Sequence, residues 1–245
     1  RTWFKSNVAI MVTFLAVSTT QFLFLAQDGT PGIMYSFLAV WLLLAATYVT
    51  RQKIFGTFWK VVTGVLLATA LYTPLGIYLI VAVLTTAFFH PHIRYVIRRF
   101  SRPKFAIAIL LGILSAVPLV YASFMDKSTA LILLGIPTDG MHIKENLIKV
   151  AYDLFGFMSP ADGFMLRPVY SLGVVMLVAV GIYKLFTYKY TARSYITLAM
   201  GLIMFPLIIL NPDHITSIFP LVVLMVALGL ATLVSDWYKM FPRNP

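Results

Sequence analysis

Five side chains in the spacers between apolar runs have the chemistry to hold an anionic or polyhydroxylic ligand: Asp28, Lys127, Arg167, Asp213 and His214. Asp28 lies in the short turn Gln27-Asp28-Gly29-Thr30-Pro31 and could take a metal ion or a sugar hydroxyl. An Asp-Gly turn feeding a helix that begins at Pro31 accounts for the same residues. Asp213 and His214 lie in Asn211-Pro212-Asp213-His214, where an imidazole could contact an anionic head group or move a proton. A short wet turn with an aspartate at a helix N-terminus is the plainer reading. Lys127 and Arg167 suit a phosphate, and both also suit snorkelling at a membrane interface.

Other constellations carry less. His90-Pro91-His92 has too few partners for a zinc site and reads as interfacial. The chain has no cysteine, which excludes disulfides, thiolate metal sites and cysteine nucleophiles. It also has no phosphate-binding loop, dinucleotide fingerprint, nucleophile elbow or metalloprotease helix. No metal ligand set is encoded, and the sequence leaves a divalent metal cofactor open.

The elements that must position these residues follow from composition. Sixty per cent of the 245 residues are hydrophobic and 11% are charged, less than half the charged share of about 25% in ordinary soluble domains. The apolar residues form continuous runs at 7–26, 31–50, 58–89, 105–123, 169–185, 194–210 and 215–234. Most are close to the roughly 20 residues that cross a hydrocarbon core. The run 58–89 would reach about 48 Å as one helix, too far for one passage, and Tyr72-Thr73-Pro74 interrupts it. Two crossings there give an all-α, polytopic transmembrane bundle of about eight crossings, a single transmembrane domain over residues 1–245.

That division also sets the charge. The formal net charge of +11 comes from short clusters between apolar runs and forms no continuous basic face, so nucleic acid is not the expected partner. With eight crossings, 15 of the 19 basic residues fall on one side, and seven of the eight acidic residues on the other. The positive-inside rule makes the basic side cytoplasmic, with both chain ends there and a plasma membrane location. The long spacer 124–168 is then an outer loop. In it Ile143, Leu147, Val150 and Leu154 recur at helical spacing, with Asp139 as N-cap. They predict an amphipathic helix that either lies along the outer membrane surface or packs on the bundle.

Three stretches resemble the GT-C glycosyltransferases, in particular the bacterial relatives of the dolichyl-phosphate-mannose-protein mannosyltransferases: residues 18–44 with their Gly-Thr-Pro turn, Gly64 to Pro74, and residues 211–230. The resemblance implies a polyprenyl-phosphate sugar as donor, hexosyl transfer on the outer face, and a catalytic acidic residue on a large loop expected upstream of Arg1. Asp28, Lys127, Arg167, Asp213 and His214 would then serve the donor. The sequence departs from the family at Gly32, where many relatives are acidic, and at the last outer turn, where His214 stands in place of an arginine. The crossings lack acidic and basic residues in their interiors, which argues against an ion-coupled carrier. A permease or channel lined by Thr19, Thr20, Gln21, Thr69, Thr85 and Thr86 is the alternative of a different class, and a structural envelope protein is a third.

Overall fold

The computed structural model describes residues 3–28, 31–51, 56–137, 142–156, 169–188 and 190–241, and among these every regular element is helical. The run 7–26 forms two helices, α1 (Ser6–Val17) and α2 (Thr20–Asp28), where a single crossing was expected. The side chains of Ser18 and Thr19 donate to the carbonyls of Leu15 and Ala16, at 3.0 and 2.7 Å. Such local bonds offer the carbonyls an alternative partner where the helical ladder ends.

Next come α3 (Pro31–Arg51), α4 (Gly56–Leu71) and α5 (Gly76–Phe89). The run 58–89 is therefore not one helix, and the chain folds back between its halves. Lys60 lies over the Phe100 ring at 4.2 Å. A straight continuation would carry His90 about 45 Å from Lys60, and the single short helix that follows could not bring Phe100 back. The break is closed by Leu75 in the left-handed region, φ 63°, and by the bare α-carbon of Gly76 against the Ala70 carbonyl.

The remaining helices are α6 (Pro91–Arg98), α7 (Arg102–Met125), α8 (Lys127–Leu134), α9 (Ile143–Phe155), α10 (Leu172–Thr187), α11 (Ala192–Leu210) and α12 (Phe219–Met240). A 3-10 turn, Pro212–Ile218, precedes α12. Three segments are long and apolar enough to cross a membrane: Gly32–Arg51, Ala192–Leu210 and Pro212–Met240. Counting bent pairs as single spans raises the number to six, and Phe58–Leu71 and Leu172–Thr187 are shorter apolar helices.

The centre is made by α3, α5 and α11, whose Tyr35, Leu42, Leu79, Met200 and Met204 are buried together. Alanines 39, 45 and 82 have at most 1% of their surface exposed, so the helices approach closely, as small residues allow in membrane bundles. The outer surface is apolar instead: Phe14, Phe124 and Leu202 are exposed, a pattern suited to lipid.

The contacts define two ends. At one, the Trp3 indole donates to Thr47 at 2.9 Å, and Arg193 donates to the Trp3 carbonyl at 2.8 Å. Tyr48 stacks on Trp59, and His90 meets Tyr195 edge-on. This end, called here the arginine end, also carries Arg51 at the end of α3, and Arg94, Arg98 and Arg99 on and after α6. At the other end, Leu75 pairs with Leu133, Asn146 with Leu210 and Lys149 with Asp213. Asp126, Glu145, Asp153 and Asp213 gather there, so it is the carboxylate end.

The helix predicted within 124–168 forms as α9 and packs on the bundle. Val150 is buried with Ile208 and Ile215, and Leu154 covers them. Ile143 and Leu147, on the same helix, stay exposed. His142, not residue 139, precedes the first turn, without a capping side-chain bond. Asp139 lies outside the described residues.

Candidate functional site at the carboxylate end

Three chain segments converge around Gly135. It ends α8 with φ 68°, the left-handed C-cap that glycine adopts without a Cβ clash. Its neighbours are the α4–α5 break, through the Leu75 side chain, and the 3-10 turn, through the His214 ring: a Cβ on Gly135 would fall 3.0 Å from His214 Cδ2 and Nε2. Leu75 donates its backbone N–H to Leu133 at 2.9 Å, and the Tyr78 hydroxyl donates to the Leu134 carbonyl at 3.0 Å. Asn211 binds the cluster together: its carboxamide donates to the Gly135 carbonyl at 3.4 Å and accepts from Asp213 N–H at 3.2 Å.

His214 is held by its own turn, with its N–H bonded to the Asn211 carbonyl and its carbonyl accepting from Ser217 at 2.6 Å. Its Nε2 is buried and has no protein partner. A neutral imidazole in that position offers one donor or one acceptor. Beside it, Lys149 pairs with Asp213 at 3.2 Å, both side chains exposed.

A second group of polar atoms lies next to this turn. Gln21 donates to the Thr216 carbonyl at 3.5 Å. Its Oε1 and the Tyr170 hydroxyl are both buried without a hydrogen bond, although the two side chains are near neighbours. A phenol hydroxyl can donate one hydrogen bond and accept others.

The residues picked from sequence are distributed unevenly over this end. His214 and Asp213 belong to the cluster. Lys127 opens α8 and is exposed, at the opposite end of an 8-residue helix from Gly135, about 12 Å along its axis. Its neighbour Asp126 caps α8: Ser128 N–H and the Ser128 and Thr129 hydroxyls donate to the carboxylate at 2.7 to 2.9 Å. Those bonds hold the Asp126 carboxyl below its usual range. Asp28 is the last residue of α2, its side chain outside the description, and Arg167 lies outside the described residues. Gly135, Leu75, Asn211 and Tyr170 were not singled out as site residues. The sequence Gly135-Ile136-Pro137 does carry a signal, a glycine C-cap followed by proline, but nothing local points to its neighbours. Among the described residues no three carboxylate or imidazole groups come together as a metal site.

Among known proteins, no family model, no curated protein and no solved structure matches the chain.

Proposed function

We propose that the chain is the membrane-embedded part of a glycosyltransferase that takes a sugar from a polyprenyl-phosphate donor at the outer face of the plasma membrane, with the carboxylate end facing out. On this reading all eight helical runs cross the bilayer, including the short α1, α4, α5 and α10, and the arginine end is cytoplasmic. His214, Asn211 and Lys149 would meet the donor phosphate and sugar, while the general base belongs to the acidic loop that the family resemblance expects upstream of Arg1.

One observation supports this above a permease. Three of the five threonines that could line a path are bonded to their own helices: Thr19 to Ala16, Thr69 to Val65 and Thr86 to Ala82, at 2.7 to 2.9 Å. Ser36 and Thr197 are buried without partners, but each lies six residues into its helix from opposite ends of the bundle, and the two do not form a path. Of the five buried side-chain polar atoms without a partner among the described residues, three, on Gln21, Tyr170 and His214, lie at the carboxylate end.

Photo-crosslinking tests the reading. Purified protein in lipid nanodiscs is irradiated with a polyprenyl-phosphate mannose carrying a diazirine on its isoprenoid. Label is expected on peptides around Gly135 and Pro212–Ile218, competed by unlabelled polyprenyl phosphate. Replacing His214 by Ala should lower it about tenfold, the value of one hydrogen bond to a charged group. Label spread evenly over the apolar face of α7, or indifferent to the competitor, would remove donor binding from this site.

A further inference from the structure

The arginine end carries a surface helix that the transferase reading does not use. Helix α6 leaves α5 at 91°, so it lies across the end of the bundle and not along it. His90 fixes the corner: its Nδ1 accepts from Ile93 N–H at 3.4 Å, its ring packs on Tyr195, and Pro91 starts the helix. Val96 is 3% exposed, with Ile93 and Ile97 half-buried at its sides. These three recur at helical spacing and press one face onto the bundle.

The opposite face carries His92, Arg94, Tyr95, Arg98 and Arg99, all exposed. Arg99 lies over the Tyr95 ring at 4.5 Å, and Lys60 extends the same surface over Phe100. Among the described residues no carboxylate pairs with Arg94, Arg98, Arg99 or Lys60. The exposed rings of Phe88 and Phe89 stand at the end of α5 just before the corner. Thus exposed aromatic rings at the end of α5 are followed directly by the guanidinium groups of α6, the order expected at a membrane interface.

We infer that α6 is an in-plane binding surface for anionic phospholipid head groups, with Arg94, Arg98 and Arg99 taking the phosphates and Tyr95 sitting among the glycerol ester groups. The inference rests on the chain being a membrane protein and does not depend on the transferase reading. Guanidinium groups pair with phosphate in two-pronged fashion, and with no carboxylate partner among the described residues the cationic face is left for an anion from outside the chain. An acidic protein segment would meet the same charges, but the position of α6 beside the exposed Phe88 and Phe89 favours lipid.

The test uses the whole chain in nanodiscs containing equal amounts of phosphatidylcholine and phosphatidylglycerol, released and weighed by native mass spectrometry. Phosphatidylglycerol should be enriched among retained lipids, and the enrichment should fall as salt rises. Neutralising each arginine should weaken retention roughly fivefold, from about 1 kcal/mol per basic residue at an anionic surface. The variant R94Q/R98Q/R99Q should therefore lose the preference, and R94K/R98K/R99K should keep most of it. Equal retention of both lipids by the wild-type protein overturns the inference, even should the glutamine variant fail to fold. So does an unchanged preference in that variant, or displacement of phosphatidylglycerol by soluble polyglutamate.

Discussion

The contact between α10 and α12 is the most extensive between any two described helices, and two glycines set its distance. A Cβ built on Gly181 falls far inside contact distance of the Met225 carbonyl oxygen, and one on Gly229 does the same to the Leu177 carbonyl oxygen. Each lies well under the 3.0 Å that Cβ atoms essentially never cross, and ordinary contact begins at 3.4 Å. The opposing atoms are backbone, so no rotamer change relieves the clash. Replacing either glycine by alanine must push the helices apart by roughly an ångström, which forfeits a quarter to a half of the attraction between the atoms that faced each other. In a bilayer that packing is a principal source of helix association. The expected loss is about 1 to 3 kcal/mol for G181A or G229A.

One separation relieves both clashes, so G181A/G229A should cost clearly less than the sum of the single variants, a coupling expected only of contacting residues. Gly64 and Gly112 supply the control, because a Cβ at either position meets nothing within 4 Å. Alanine there should be neutral or should stabilise by up to about 1 kcal/mol through helix propensity. The assay is reversible unfolding in mixed micelles, each variant compared with wild type. Equal stability of G181A, G64A and wild type would refute the packing argument, and strict additivity of the double variant would refute the shared displacement.

Three further outcomes follow from the same contacts. Because the chain has no cysteine, single cysteines at 51, 98 and 239 should react with a membrane-impermeant maleimide from one side only, and those at 126, 145 and 213 from the other. Labelling of 98 and 145 from the same side would overturn the two-ended arrangement. Gly135→Ala places a side chain at φ 68° against Leu75 and the His214 ring, which should cost about 1 to 2 kcal/mol for the left-handed backbone alone; a thermal melt in detergent unchanged from wild type would contradict it. Tyr170→Phe removes a buried hydroxyl with no protein partner, so stability should hold or rise by about 1 kcal/mol. A fall of more than about 2 kcal/mol in the same melt would show that the hydroxyl is satisfied in the folded protein.

The long-range hydropathy pattern made most of the helices legible. The runs at 31–50, 105–123, 169–185 and 194–210 match α3, α7, α10 and α11 to within a few residues, because each is bounded by turn residues or charge and is apolar throughout. The interruption at Tyr72-Thr73-Pro74 was legible for the same reason, since proline removes a backbone donor and a run of that length cannot be one crossing. Hydropathy failed at Ser18 and Thr19, which look harmless inside an apolar run, yet the helix divides there, with their hydroxyls bonded to Leu15 and Ala16. It also failed at the last run, whose first residues enter a 3-10 turn ahead of Pro220 and not α12.

The site was less legible than the helices because its parts are distant in sequence. Asp213 and His214 could be picked as the polar residues of a turn, but the Asn211 carboxamide reaches Gly135 across 76 residues, and no local pattern encodes that meeting. The same holds for Gln21, named in the sequence only as a lining residue of the alternative permease, which bonds to Thr216, 195 residues away. In a chain whose crossings are all similarly apolar, transfer to lipid says that a helix is inserted and not which helix it touches. That choice is left to small residues, where backbones can meet, and to the few polar side chains that need a partner away from water. Gly181 and Gly229 mark the first kind of decision here, and Asn211 and Gln21 the second. The chemically versatile end of the bundle is thus defined by the residues that hold distant turns together, and His214 takes its buried position from them.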